Sequence, residues 1–258
     1  MTKTSAEARR RLIADHVVEH GTATGADLAQ LTGVSLMTVH RDLDDLERRG
    51  VLRRFRGGAS ALPSTVFESN LDYRLGVNTA EKNAIARAAA ELVEPGMSVM
   101  LDDSTTVLAM AGLLADMAPL TVVTNARRVV DLFTDREGIR LIALGGEYSR
   151  THDSFLGVPC VEAVEALSVD LVAVSTSALD SRMAYHQEQD VVLVKRAMLT
   201  SAARKVMLMD HTKLARTALH RVGPVSDLDH LIVDDGVGSD LLAKLRERTQ
   251  VTVAPTGG

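Results

Sequence analysis

Between Val34 and Ala59 the chain reads VSLMTVHRDLDDLERRGVLRRFRGGA, a short helical pattern followed at once by a basic ribbon tipped with glycines. Few folds accept that order. Ser35 is placed to cap the helix by accepting the Thr38 N–H, and Val34 and Val39 occupy the two positions of a hydrophobic staple. At about 100° per residue Val39, Leu43 and Leu46 form one apolar stripe, with Met37, Thr38, Arg41, Asp45 and Arg48 outward and His40 on the flank. Gly50 stops the helix in the left-handed position. Val51-Leu52 then opens a strand, and Arg53-Arg54-Phe55-Arg56-Gly57-Gly58 forms a hairpin tip.

Upstream, residues 6 to 20 predict a first helix with Leu12, Ile13, His16 and Val17 inward, ended by Gly21. Thr24 with Asp27 three residues on, then Leu28 and Leu31, predicts a second, and Gly33 serves the turn into the third. Three helices and a wing make a winged helix-turn-helix over residues 1–59. A helix N-terminus enters the major groove readily, so double-stranded DNA is the expected partner, with Met37, Thr38, His40 and Arg41 at base edges behind the Ser35 cap. Arg53, Arg54, Arg56 and Gly57 are expected to grip phosphates or the minor groove. Asp44, Asp45 and Glu47 mark where the helix leaves the groove, with Arg48 and Arg49 near the backbone beyond them.

With 258 residues and 46% hydrophobic content, the chain exceeds what that unit needs and predicts a second, larger domain. Residues 1 to 60 hold 10 Lys/Arg against 8 Asp/Glu, a balance of +2, while the rest holds 19 against 26, a balance of −7. Only the first block suits a polyanion, and it does so by where its arginines cluster. The single cysteine, Cys160, excludes an intramolecular disulfide and a multi-cysteine zinc site and reads as a small apolar residue. No apolar run reaches the ~20 residues of a membrane helix and no signal-peptide core opens the sequence, so no membrane partner and a cytoplasmic location are expected.

Residues 60–78, SALPSTVFESNLDYRLGVN, read as a linker, and 79–258 as an α/β domain. In that domain the apolar runs SVMLDD, LTVVTN, IRLIALGG, LVAVST, KVMLMD, HLIVDD and VTVA alternate with helical segments, which predicts a mostly parallel sheet covered on both faces. Ligands of such sheets bind at the strand carboxyl ends, so the residues closing each run are the candidates. Asp102, Ser104, Thr105 and Thr106 lead into a helix and form a phosphate seat. Asn125 closes the second run, and Gly145 and Gly146 the third, where absent side chains would admit a ligand to the backbone. Glu188, Lys195 and Lys213 complete a rim suited to a phosphorylated, polyhydroxylated anion.

The run quoted first resembles the signature of the DeoR family of bacterial sugar-metabolism repressors, and VMLDDSTTVLAMA, VVTN, LIALGGEYSR, VKRAML and DHTKLAR resemble that family in order and spacing. The resemblance spans residues 6 to 236. It implies a winged helix-turn-helix followed by a parallel-sheet effector domain resembling ribose-5-phosphate isomerase, a homo-oligomer, and release from the operator, or another switch, by a sugar phosphate. It places Ser35, Thr38 and Arg41 on the recognition helix, and Asp102, Thr105, Thr106, Asn125, Gly145, Gly146, Lys195 and Lys213 on the effector-domain motifs. His40 stands where the family commonly has Arg, Arg56 where it has His, and Ser104 where it has Gly. LVAVSTSALD lacks the family's glycines and acidic residue, and AYHQEQD replaces its threonine and proline stretch. Both changes lie on the ligand rim and leave open whether the effector differs, or the response is altered or lost.

No catalytic residue, metal or cofactor is expected: there is no Walker loop, metal-binding His-Glu pair or paired dinucleotide glycine motif. The rival readings are a sugar-phosphate isomerase or lyase with a DNA-binding appendage, using Lys195, Glu188 and Asp180 as acid and base groups, and a nonspecific architectural DNA binder.

Overall fold

In the computed structural model, which describes residues 5–61 and 71–257, the chain divides into two units, Met1–Val77 and Asn78–Gly258. The first contains α1 (Ala6–His20), β1 (Thr22–Thr24), α2 (Gly25–Thr32), α3 (Leu36–Arg48), β2 (Leu52–Phe55), β3 (Gly58–Ala61) and α4 (Leu71–Gly76). Its three strands form an antiparallel sheet in the order β1-β3-β2. Ile13, Ala14 and Val17 of α1, Leu28 of α2, Val39, Leu43 and Leu46 of α3, and Leu52 and Ala59 of the wing form its core. Leu12, expected inward, is 42% exposed, because Ala14 takes the inward place beside Ile13. Leu31 is also largely exposed, and His16 is half-buried.

Local chemistry sets the ends of these helices. Thr24 and Asp27 make a reciprocal capping box, and Gly33 closes α2 in the left-handed region at φ 67°. Ser35 caps α3 by accepting the Thr38 N–H at 3.3 Å. At the other end Gly50 takes φ 68°, and the Val51 N–H returns to the Leu46 carbonyl at 2.9 Å. The wing is held close: the Gly25 N–H donates to the Gly57 carbonyl at 2.8 Å, and a Cβ on Gly58 would lie 2.2 Å from the Ala23 carbonyl oxygen.

The stretch expected to be a linker is partly structured. β3 runs to Ala61, and α4 belongs to the first unit, where Tyr73 packs against the core and Arg11 donates to the Gly76 carbonyl at 3.0 Å. Burial pushes the Tyr73 hydroxyl up to about 12. The middle of that stretch, residues 62–70, lies outside the described residues.

The second unit opens with α5 (Thr79–Ala90), and each apolar run becomes one strand of a seven-stranded sheet. These are β4 (Ser98–Leu101), β5 (Leu120–Thr124), β6 (Ile139–Ala143), β9 (Val169–Val174), β12 (Ala202–Met209), β14 (His230–Asp234) and β15 (Gln250–Ala254). Helices α6 (Thr105–Leu114), α7 (Arg127–Phe133), α8 (Val158–Glu165), α9 (Gln189–Thr200) and α10 (Ser239–Arg246) cover it. Every pairing is parallel, in the order β15-β14-β12-β9-β4-β5-β6. Successive side chains point to opposite faces. Val99, Leu101, Leu171, Ala173, Val206 and Leu208 thus join a core with α5, α6 and α7, while Met100, Val172, Val174, Met207 and Met209 join another with α8 and α9.

Two additions escape the apolar-run pattern. One is the hairpin β7 (Glu147–Ser149) and β8 (Ser154–Leu156); the other is a small antiparallel sheet of β10 (Ala178–Leu179), β11 (Met183–His186) and β13 (His220–Pro224). Among the described residues no helix is long and apolar enough to cross a membrane, and no group of three or more His, Cys, Asp or Glu could hold a metal ion.

Candidate DNA-reading face and ligand rim

On α3 the outward N-terminal turn carries Leu36 and Met37, the latter 66% exposed, followed one turn later by exposed Arg41. Thr38 is half-buried, its Oγ1 3.0 Å from the Ser35 Oγ. Arg53, Arg56 and Gly57 are exposed on the wing. Arg41, Arg53 and Arg56 make no ion pair among the described residues.

The other arginines are engaged. Arg54, expected at a phosphate, donates from Nη1 to Asp44 and from Nη2 to His40 Nδ1 at 3.0 Å, and its backbone N–H donates to Glu47 at 2.7 Å. Asp44 and Glu47 therefore brace the wing. Asp45, expected to face outward, is largely buried among Arg10, Arg48 and Arg49, and Arg49 also meets Glu7 at 2.7 Å. Asp42 drew no attention in the sequence, yet it is 2% exposed and accepts from Arg9 at 2.6 Å and Arg10 at 3.0 Å. Its periodicity was the available signal: at 100° per residue it falls about 40° from Leu46, on the edge of the apolar stripe.

In the second unit the strand order reverses between β4 and β9, the switch point where open parallel sheets bind ligands. Asp102 follows β4 there. Its carboxylate accepts the Ser104 N–H at 2.9 Å, the Ser175 N–H at 2.8 Å and the Lys195 ammonium at 2.5 Å. Asp103 accepts from Lys195 at 3.0 Å and from the Ser154 hydroxyl at 2.7 Å. Burial would push the Lys195 ammonium toward neutrality; Asp102 and Asp103 outweigh it and hold its pKa above the ordinary lysine value. Ser104 caps α6 through the Val107 N–H at 3.2 Å. Thr106 and Asn125 are buried, and among the described residues the Thr106 Oγ1 and Asn125 Oδ1 have no hydrogen-bond partner. The Asn125 amide donates to the Phe155 carbonyl at 2.9 Å, which ties this edge to the β7–β8 hairpin.

The profile of the DeoR C terminal sensor domain matches residues 77–235, and that of the DeoR-like helix-turn-helix domain matches residues 9–65. The chain belongs to the DeoR family. It is 31% identical over 247 residues to a putative aga operon transcriptional repressor of Escherichia coli O157:H7, covering 95% of this chain and 92% of that one. It is 34% identical over 230 residues to the HTH-type transcriptional repressor GlcR of Bacillus subtilis (strain 168), covering 88% of each. A D-ribose-5-phosphate isomerase in complex with phospho-erythronic acid overlaps 52% of this chain and 53% of its own at 15% identity and a TM-score of 0.39, too loose to bear on activity.

Not every rim residue of this DeoR-family chain converges on the switch point. Glu188 does approach it, with Oε1 3.1 Å from His152 Nε2, two residues before the Ser154 that bonds Asp103. Gly146 serves packing: a Cβ there would lie 2.3 Å from the Leu156 carbonyl oxygen, so its missing side chain admits the hairpin and not a ligand. Gly145 is exposed with open space around it. Lys213 belongs to a second cluster, 3.8 Å from buried Asp210, which also takes the Thr212 hydroxyl and the Asn78 amide, the latter at 3.1 Å. Asp180, a candidate acid of the enzyme reading, is committed to a turn. It accepts the Arg182 and Met183 N–H groups at 2.7 and 2.8 Å and the Tyr185 hydroxyl at 2.8 Å. Cys160 is fully buried, as a small apolar residue would be.

Proposed function

We propose that this DeoR-family regulator is a repressor that binds a paired operator as a homo-oligomer through α3 and its wing, and that a phosphorylated sugar at the β4–β9 rim releases it. The sensing half rests on one observation: the Thr106 Oγ1 and Asn125 Oδ1 are buried without a partner among the described residues, beside the N-terminus of α6. A buried polar atom left unpaired costs about 1–3 kcal/mol, which a polyhydroxylated ligand would remove. The Thr105 and Thr106 N–H groups belong to the first turn of α6, which has no intrahelical acceptors, and the helix dipole favours a phosphate there. Lys195 and Lys213 each face aspartate, so the helix end, not a free lysine, meets the phosphate charge.

Exposed Arg41, Arg53 and Arg56 support the DNA-reading half, and the names of the Escherichia coli and Bacillus subtilis relatives support repression. Release follows from linkage: a ligand that prefers the arrangement in which two reading units miss their half-sites lowers operator affinity by its differential affinity. A thermal-shift screen of the full chain against phosphorylated sugars and polyols tests the reading. A ligand at about 100 times its Kd adds about 2.7 kcal/mol of stability, and Thr106→Val should abolish the shift. A screen in which no phosphorylated sugar raises the Tm, or in which Thr106→Val leaves the response intact, contradicts it.

A further inference from the structure

Arg54 is held by three residues on successive turns of one flank of α3. His40 Nδ1 lies 3.0 Å from its Nη2, Asp44 takes its Nη1, and Glu47 takes its backbone N–H at 2.7 Å. Its Nε–H is buried without a partner among the described residues, out of reach of a phosphate unless the side chain leaves its seat. Its charge is thus already met by Asp44, and its fork is divided between two side chains of the helix. An arginine can only donate, so His40 Nδ1 is the acceptor and the imidazole proton sits on Nε2.

We propose that Arg54 is a positioning residue and not a phosphate contact: it bolts β2 to the wing-side flank of α3 and fixes His40 as the Nε2–H tautomer. The inference rests on the reading of α3 and the wing as the DNA-binding face. The helix and the wing then enter the duplex as one rigid body, their spacing set before contact. His40 offers the duplex a donor alone, which suits guanine O6 or N7, adenine N7, thymine O4 or a phosphate oxygen and disfavours the cytosine amino group. Arg53 and Arg56, exposed on the same ribbon, supply the phosphate contacts.

The test uses the full chain and a duplex it selects from a randomised pool, with affinity for that duplex and for random DNA measured across salt concentrations. Arg54→Lys keeps the charge but cannot span His40 and Asp44. It should lower the selected-over-random ratio about tenfold, as Arg54→Ala does, the size of one lost charge-assisted hydrogen bond, with the salt slope unchanged in both. Arg56→Ala should instead flatten the slope by about 0.9 and spare the ratio. In 15N-histidine-labelled protein the His40 ring should show the Nε2–H tautomer in the parent and a tautomer mixture in Arg54→Lys. If lysine restores the ratio, if Arg54→Ala flattens the slope by about 0.9, or if the His40 tautomer is indifferent to residue 54, the positioning role is overturned while the DNA reading stands. A parent chain that prefers no duplex over another overturns the DNA reading and this inference with it.

Discussion

The two units commit their buried charges differently. In the amino-terminal unit Asp42 is buried, but its partners Arg9 and Arg10 keep 14% and 23% of their side chains in solvent. In the carboxy-terminal unit Lys195, Asp102 and Asp103 are all out of water, with 4%, 1% and 5% of their side chains exposed. The first network braces helices against one another and leaves Arg41, Arg53 and Arg56 outward. The second lies at the switch point of the sheet, where it fixes the loops that follow β4 and β9. On the proposed function, a DNA-reading unit must keep cations available to a polyanion whereas a ligand rim must be rigid before its ligand arrives, and the depth of each network suits that division.

Breaking each network would measure that difference. Lys195→Ala leaves two aspartates buried without their ammonium, so chemical denaturation of the full chain should show a loss of about 3–5 kcal/mol, borne by the sensor unit. Asp42→Ala leaves two arginines that can turn to water, and its cost should be smaller, about 1.5–3 kcal/mol, borne by the reading unit. Equal losses would erase the contrast. A smaller effect comes from Asp210. Burial would raise its carboxyl, but Lys213, the Thr212 hydroxyl, Lys82 and the Asn78 amide outweigh burial and hold it below 3.8. With the folded pKa depressed, the stability it lends is complete above the unfolded value and fades as the pH falls through the folded one. Asp210→Asn should therefore flatten the loss of Tm below about pH 4 and leave its slope near neutrality unchanged.

Local patterns were readable and distant meetings were not. Ser35, Thr24, Gly33 and Gly50 announce their helix ends because capping needs only residues within a turn of each other. The seven strands announce themselves because a strand covered on both faces must be apolar throughout. Arg9 and Asp42 are 33 residues apart, and Lys195 and Asp102 are 93 apart, so nothing in the sequence near either partner marks the pair. Arg54 was legible as basic but not as engaged, since its acceptors sit on α3 across the turn at Gly50. The β7–β8 hairpin and the small sheet hide in short mixed segments whose pairing depends on the surface they cover. α4 hides in a segment too short to show a period, and Tyr73 docks it by burial against a core formed by other elements.

The central claim is that α3 reads base edges, and Arg41, exposed one turn beyond Met37 and unpaired among the described residues, tests it most directly. Equilibrium binding of Arg41→Ala to the selected duplex, to that duplex altered one base pair at a time, and to random DNA should show a loss of about 1–3 kcal/mol on the selected duplex and relaxed discrimination at a single position. An equal loss on selected and random DNA, with discrimination intact at every position, would contradict it.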